Sequence, residues 1–171
     1  MQKFPASLRH LVCFDIGVWF KQSATWLWLW VFVWLLVIYG ASSDSASSNR
    51  SSRIIGPIAR WLYPSITDPQ LESVIFVVRK AAHMTEYAVL AILAWRAIQR
   101  SRPWLGATFS SRTALWAWVL ATGYAMTDEF HQTFVPNRSG QWQDVAIDSA
   151  GALLGLLGAW IFLRLRPTQI W

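Results

Sequence analysis

Apolar residues along this chain gather into long runs, and polar residues crowd at the ends of those runs. Ser23 to Gly40 carries no charge in 18 residues, long enough to predict a membrane-spanning helix. A cleaved signal peptide competes for this run, because the small residues Gly40, Ala41 and Ser42 follow it. The 22-residue lead and the tryptophans at 26, 28, 30 and 34 favour an uncleaved anchor. Asp68-Pro69 then reads as a helix start, with Asp as the cap and Pro at the first helical position. Nothing breaks the pattern until about Gln99, a helix of ~46 Å. That is more than a bilayer core needs, so part of it is expected to project or lie in the interface. Thr113 to about Thr127 predicts a third span, and Val145 to Leu165 a fourth.

The connections differ in character. Residues 1–22 hold a short apolar run, Leu11 to Phe20, expected to lie at the interface. Ala41 to Ser52 is serine-rich and reads as a flexible connector. Ile54 to Tyr63 predicts a short amphipathic piece on the surface, closed by Pro64. Val135 to Gly140 reads as a tight connection. The expected fold is all-α: an integral membrane bundle of four transmembrane helices, with the amphipathic segment in the first outer loop.

Composition supports this picture. The chain has 171 residues, 54% of them apolar, with 13 Trp and a mean hydropathy of +0.31. Tryptophan favours membrane–water interfaces. The net charge of +6 does not point to nucleic acid, because the basic residues flank apolar runs instead of forming a stripe. Cys13 is alone, so there is no disulfide framework and no Cys-based zinc motif. With the termini cytoplasmic, nine Lys and Arg fall inside and six outside. The Arg-rich loop of Arg96, Arg100, Arg102 and Arg112 supports the same orientation.

Alternating spans bring three helix ends to one membrane face. The second span opens with Arg79, Lys80, His83, Glu86 and Tyr87, of which Arg79, His83, Glu86 and Tyr87 share a helical face. The third closes with Asp128, Glu129, His131 and Gln132, and Asp128 and Gln132 are four apart. The fourth opens with Asp144 and Asp148. Five of the nine acids and two of the three histidines are thus expected at one end of the bundle. In the fourth span Asp144, Asp148, Gly151, Gly155 and Gly158 form a stripe, and Gly151-Ala-Leu-Leu-Gly155 is a small-xxx-small motif. The stripe predicts a close helix–helix contact that turns both aspartates inward.

The segments RKAAHMTEYAVLAIL (79–93) and DEFHQTFVPNRSGQWQDVAIDSAGALLG (128–155) resemble the VanZ-like membrane proteins. The family's His-x-x-Glu-Tyr element matches His83, Glu86 and Tyr87. Its Asp-Glu-x-x-Gln, Pro-x-Arg and Asp-x-x-x-Asp/Asn-x-x-Gly elements match Asp128, Glu129, Gln132, Pro136, Arg138, Asp144, Asp148 and Gly151. Many relatives carry Asn where this chain has Asp148. The resemblance implies a VanZ-like domain over 23–166, after an N-terminal segment (1–22) and before a tail (167–171). It also implies a role in the cell envelope, linked to resistance to teicoplanin.

Three classes of function remain open for the polar end. Carboxylates in low dielectric suit acid–base chemistry, which gives His83, Glu86, Asp128, Glu129, Asp144 and Asp148 as catalytic candidates. Arg79, Lys80, Tyr87, Gln132 and Arg138 are the candidates for binding a head group. The ligand would be a membrane lipid or an undecaprenyl-linked cell-wall precursor, bound or transformed. The bland reading makes the same residues ion pairs, Glu86 with Arg138 and Asp128 with His83, that only lock helices. A metal held by His83 and Glu86 with Asp128 or His131 lacks the paired spacing of a His-x-x-x-His or HExxH motif, so no metal or other cofactor is assigned.

Overall fold

The computed structural model describes residues 23–43, 47–102, 109–135 and 140–165. The N-terminal segment, the tail and most of the Val135–Gly140 connection, Arg138 included, lie outside the described residues. The described residues form five helices: α1 (Ala24–Ser43), α2 (Ser47–Leu62), α3 (Asp68–Arg100), α4 (Ser111–Gln132) and α5 (Trp142–Leu165). There is no strand among the described residues. Helices stand at all four candidate spans, and of these α1 and α5 are long and apolar enough to cross a membrane. The other two carry charges within their length, Arg79, Lys80, Glu86 and Arg96 in α3 and Arg112, Asp128 and Glu129 in α4.

Two boundaries depart from the sequence reading. The serine-rich connector expected at Ala41–Ser52 is largely helical. Helix α1 continues through Ser43 and α2 already begins at Ser47. Serine is a weak helix former rather than a breaker, and packing of the last turn of α1 overrides its preference. Helix α2 keeps Pro57 inside it. The start of α3 moves back by one residue, with Thr67 and not Asp68 as the cap. Thr67 is extended (φ −79°, ψ 158°), and its N–H donates to Gln70 Oε1 at 3.0 Å. This is the reciprocal arm of a capping box.

Helix α3 is the centre, packed against α5, α4 and α1. Its inner face is Tyr87, Leu90, Ala91, Ala94 and Ala97; α4 answers with Ala117, Ala121 and Ala125, and α5 with Ala152 and Leu156. Small side chains let the axes come close, the usual solution where no water drives helices together. At Gly151 of α5 an added Cβ would lie 2.7 Å from Met84 Cα, and at Gly155 it would lie 2.8 Å from Ala88 Cα. Gly151 and Gly155 therefore set backbone against backbone, and α3 and α5 run parallel. Counting back from the Gly151–Met84 contact to Trp142 reaches Ile75, so the α3 turns before it extend past α5. Helix α2 lies against α3, where Arg60 Nη2 meets Asp68 Oδ1 at 2.6 Å.

Candidate functional site: an acidic cluster at one end of the bundle

Alternation places the C-terminal end of α1, the Arg79–Tyr87 stretch of α3, the C-terminal end of α4 and the N-terminal end of α5 at one end. The polar residues meet there. Asp128 is buried at 4% exposure. Its Oδ2 accepts from Ser42 Oγ at 2.7 Å and from Gln132 Nε2 at 3.1 Å. The first bond ties α4 to α1 and the second runs one turn along α4. Next to it, His131 Nε2 is 3.1 Å from Ser43 Oγ, and its ring lies 4.9 Å from that of Tyr39.

Glu129 is buried at 6% exposure and accepts at Oε2 from the Gln141 N–H, 2.8 Å away. Gly140 makes this approach possible. A Cβ there would run into the Glu129 carbonyl and lie 2.9 Å from Thr133 Cγ2.

Helices α3 and α5 supply the rest. Lys80 Nζ pairs with Asp144 Oδ1, each side chain 24% exposed. His83 Nδ1 lies 3.8 Å from Glu86 Oε2, and the Glu86 carbonyl accepts from Trp34 Nε1 of α1 at 2.9 Å. Asp148 is 1% exposed and within electrostatic range of Glu129, Asp128, Asp144 and Glu86. Tyr87 is fully buried, its hydroxyl has no hydrogen-bond partner among the described residues, and it faces Asp128, Asp148 and Glu129 electrostatically. Arg79 sits half-exposed one turn before His83.

The structure thus brings together His83, Glu86, Tyr87, Lys80, Asp128, Glu129, Gln132, Asp144 and Asp148. The Asp128 carboxylate takes hydrogen bonds from Ser42 and Gln132, and Glu86 lies against His83. The expected pairing of Glu86 with Arg138 falls outside the described residues. Sequence reasoning missed Ser42 and Ser43 because it ended the helix at Gly40, and it counted Tyr39 among the apolar residues of that run. In the structure Leu27, Val31, Ile38 and Ser42 are buried on one helical stripe, which Ser42 carries past Gly40. Gln141 was missed because it acts through its backbone.

Five carboxylates with one paired lysine offer proton donors and acceptors in a poorly hydrated place. They do not present a ligand shell: among the described residues, no three of His, Cys, Asp or Glu are arranged to hold a metal ion. No curated protein and no solved structure matches the chain. The VanZ/LLP1 family model matches residues 25–163. That range takes in all but the first residue of α1, all of α2, α3 and α4, nearly all of α5 and every clustered residue named above, and the chain belongs to the VanZ/LLP1 family.

Proposed function

We propose that this is a four-span protein of the cell membrane whose acidic end faces outward and binds the head group of a cell-envelope lipid or lipid-linked cell-wall precursor. Its link to resistance against glycopeptides such as teicoplanin would follow from that binding. The observation that carries the reading is the buried cluster itself. Ionisable groups within membrane helices are costly to bury, and such groups mark ligand or ion sites by default. Four helices contribute to this one, and Lys80 and Arg79 supply cations beside it for a phosphate or carboxylate. The outer surface agrees with a lipid setting: Trp26, Phe32, Trp116, Leu154 and Phe162 are all exposed, far more apolar surface than a water-soluble monomer tolerates.

The test is binding of undecaprenyl phosphate and of a lipid-linked precursor to the full chain in nanodiscs. Binding lost in Glu86→Gln and Asp128→Asn, with the thermal melt intact, is the expected result. Wild-type affinity in both variants overturns it. Turnover of the bound lipid would move the reading on to acid–base catalysis.

A structural role is the second reading. It is favoured by the way Ser42–Asp128, Lys80–Asp144 and Gln141–Glu129 each join two parts of the chain. The same two variants decide it, since a purely structural cluster would lose stability and no ligand. Orientation is checked by a cysteine at Ser65 in a Cys13→Ser background. Labelling of intact cells by an impermeant maleimide is expected, and protection would reverse the topology.

A further inference from the structure

Three carboxyls of the cluster are withdrawn from water without a cation of their own among the described residues. Asp128 and Glu129 of α4 and Asp148 of α5 are buried, whereas the side chains of Asp144 and Glu86 stay 24% and 26% exposed. Lys80 is taken by Asp144 at the rim. No lysine, arginine or histidine of the described residues lies in ion-pair contact with the buried three. The donors they meet are neutral: Ser42 and Gln132 at Asp128, and the Gln141 N–H at Glu129. Each of the three is within electrostatic range of the other two. The other ionisable groups facing them are Glu86, Tyr87 and Lys80 of α3, Tyr124 of α4 and Asp144 of α5. Helix α1 faces them with Ser42. His83 and His131 stand at the edge, beside Glu86 and Ser43.

Like charges that feel one another away from water do not all stay ionised, and the usual outcome is a carboxyl that keeps its proton. Tyr87 shows where that proton can go. Its side chain is fully buried, its hydroxyl has no hydrogen-bond partner among the described residues, and it faces all three acids. A phenol both donates and accepts, and at this depth a proton needs no opening that a larger ligand would. We propose that Asp128, Glu129 and Asp148 together hold an exchangeable proton, handed between α4 and α5 through the Tyr87 hydroxyl. The protonated carboxyl gives its proton to the phenol oxygen as the phenol gives its own to the carboxylate opposite, so the net charge is unchanged. The proton belongs to the group and not to one residue. Its exit is on one side. Toward the acidic end the path continues to the exposed rim at Asp144 and Lys80. Toward the other end the core is Leu90, Ala91, Ala94, Ala121, Ala152 and Leu156. The helical stretches leading there, 24–38, 88–95, 113–123 and 149–163, contain no ionisable side chain. Proton relays in membranes are built from chains of ionisable residues, and this chain of residues stops half-way. The inference stands independently of the head-group reading.

Infrared spectroscopy of the full chain in nanodiscs reads the proton through the C=O stretch that a protonated carboxyl has and a carboxylate lacks. Wild type is expected to show this band at neutral pH, to shift it in D₂O, and to lose it as the pH is raised. Asp148→Asn is expected to remove about half of its area or more, because the proton is shared by the group. No band at neutral pH overturns the site, as does a band of full area in each of Asp128→Asn, Glu129→Gln and Asp148→Asn. Tyr87→Phe removes a hydroxyl that bonds nothing, so the thermal melt should be kept. It is expected to leave the band and to slow its hydrogen–deuterium exchange about tenfold or more, as loss of a positioned proton carrier does. Exchange at the wild-type rate in this variant overturns the relay. Sidedness is read in vesicles of the Cys13→Ser, Ser65→Cys chain, whose new thiol lies just before α3 at the acidic end. An alkaline jump outside is expected to remove the share of the band that equals the share of molecules labelled from outside. Loss of the band from the protected molecules overturns the one-sided exit.

Discussion

The α3–α5 and α1–α4 interfaces carry the acidic cluster between them, and they are built in opposite ways. Between α3 and α5 the backbones touch, at Gly151 against Met84 and Gly155 against Ala88. Between α1 and α4 the helices stand apart along a groove and are joined at discrete points, Tyr124 to Leu35 and Ser42 to Asp128. Close packing fixes Asp144 and Asp148 through the helix that bears them. Asp128 lies on the open side and is fixed by explicit hydrogen bonds. The tight interface should therefore fail through sterics, and the loose one through lost donors.

The largest effect is expected at Gly151. Gly151→Leu forces a branched side chain into the Met84 backbone and should abolish folding. Even Gly151→Ala should cost about 1–3 kcal/mol as an overpacked contact. Thermal unfolding in nanodiscs reads both, and a wild-type melt for the alanine variant would show that the helices are not in backbone contact.

On the loose side, Ser42→Ala removes the donor to a buried carboxylate. A hydrogen bond to a charged group contributes roughly 1.5–3 kcal/mol, and a loss of that order is expected in the same assay. Ser42→Thr keeps the hydroxyl and should recover most of it. If Ser42→Ala is silent, Asp128 is held by Gln132 and its own helix, and the two interfaces are less different than their geometry says. Lys80→Met should cost less, about 1 kcal/mol, because the Lys80–Asp144 pair is a quarter exposed and water screens what remains. A double-mutant cycle with Asp144→Leu measures the pair directly, and a coupling near zero would reduce it to a surface contact.

The tight half of the comparison was legible in the sequence, and the loose half was not. The Gly151-x-x-x-Gly155 spacing announces a backbone contact, and the acids four apart announce a face, because both depend on residue type at helical period. The convergence of Glu86, Asp128 and Asp148 followed from alternation of the spans alone. Ser42 was hidden because serine after a glycine resembles a connector, and its helical position is decided by packing of α1 against α4. Gln141 was hidden for another reason: its backbone N–H carries no side-chain signature, and only Gly140 nearby hinted at a close approach. The groove also left no mark, since the residues that line it are the same Trp, Leu and Val that face lipid elsewhere.

The smallest effect should come from the glycine that the tight interface does not use. Gly158 continues the stripe of Gly151 and Gly155, yet a Cβ there would meet nothing within 4 Å. Sequence spacing alone would assign all three to one contact. The structure ends the glycine contact at Gly155 against Ala88, and Gly158 faces open space. Glycine inside a helix is worse than alanine by roughly 0.5–1 kcal/mol, through the backbone entropy it loses on folding. With no steric cost to set against that gain, Gly158→Ala should leave the melt unchanged or raise it slightly. Gly155→Ala, less than one turn earlier, should lower it, because its Cβ would lie 2.7 Å from the Ala88 carbonyl oxygen. Opposite signs at two positions of one stripe locate where the glycines stop touching α3; equal losses would mean that their contact runs on to Gly158.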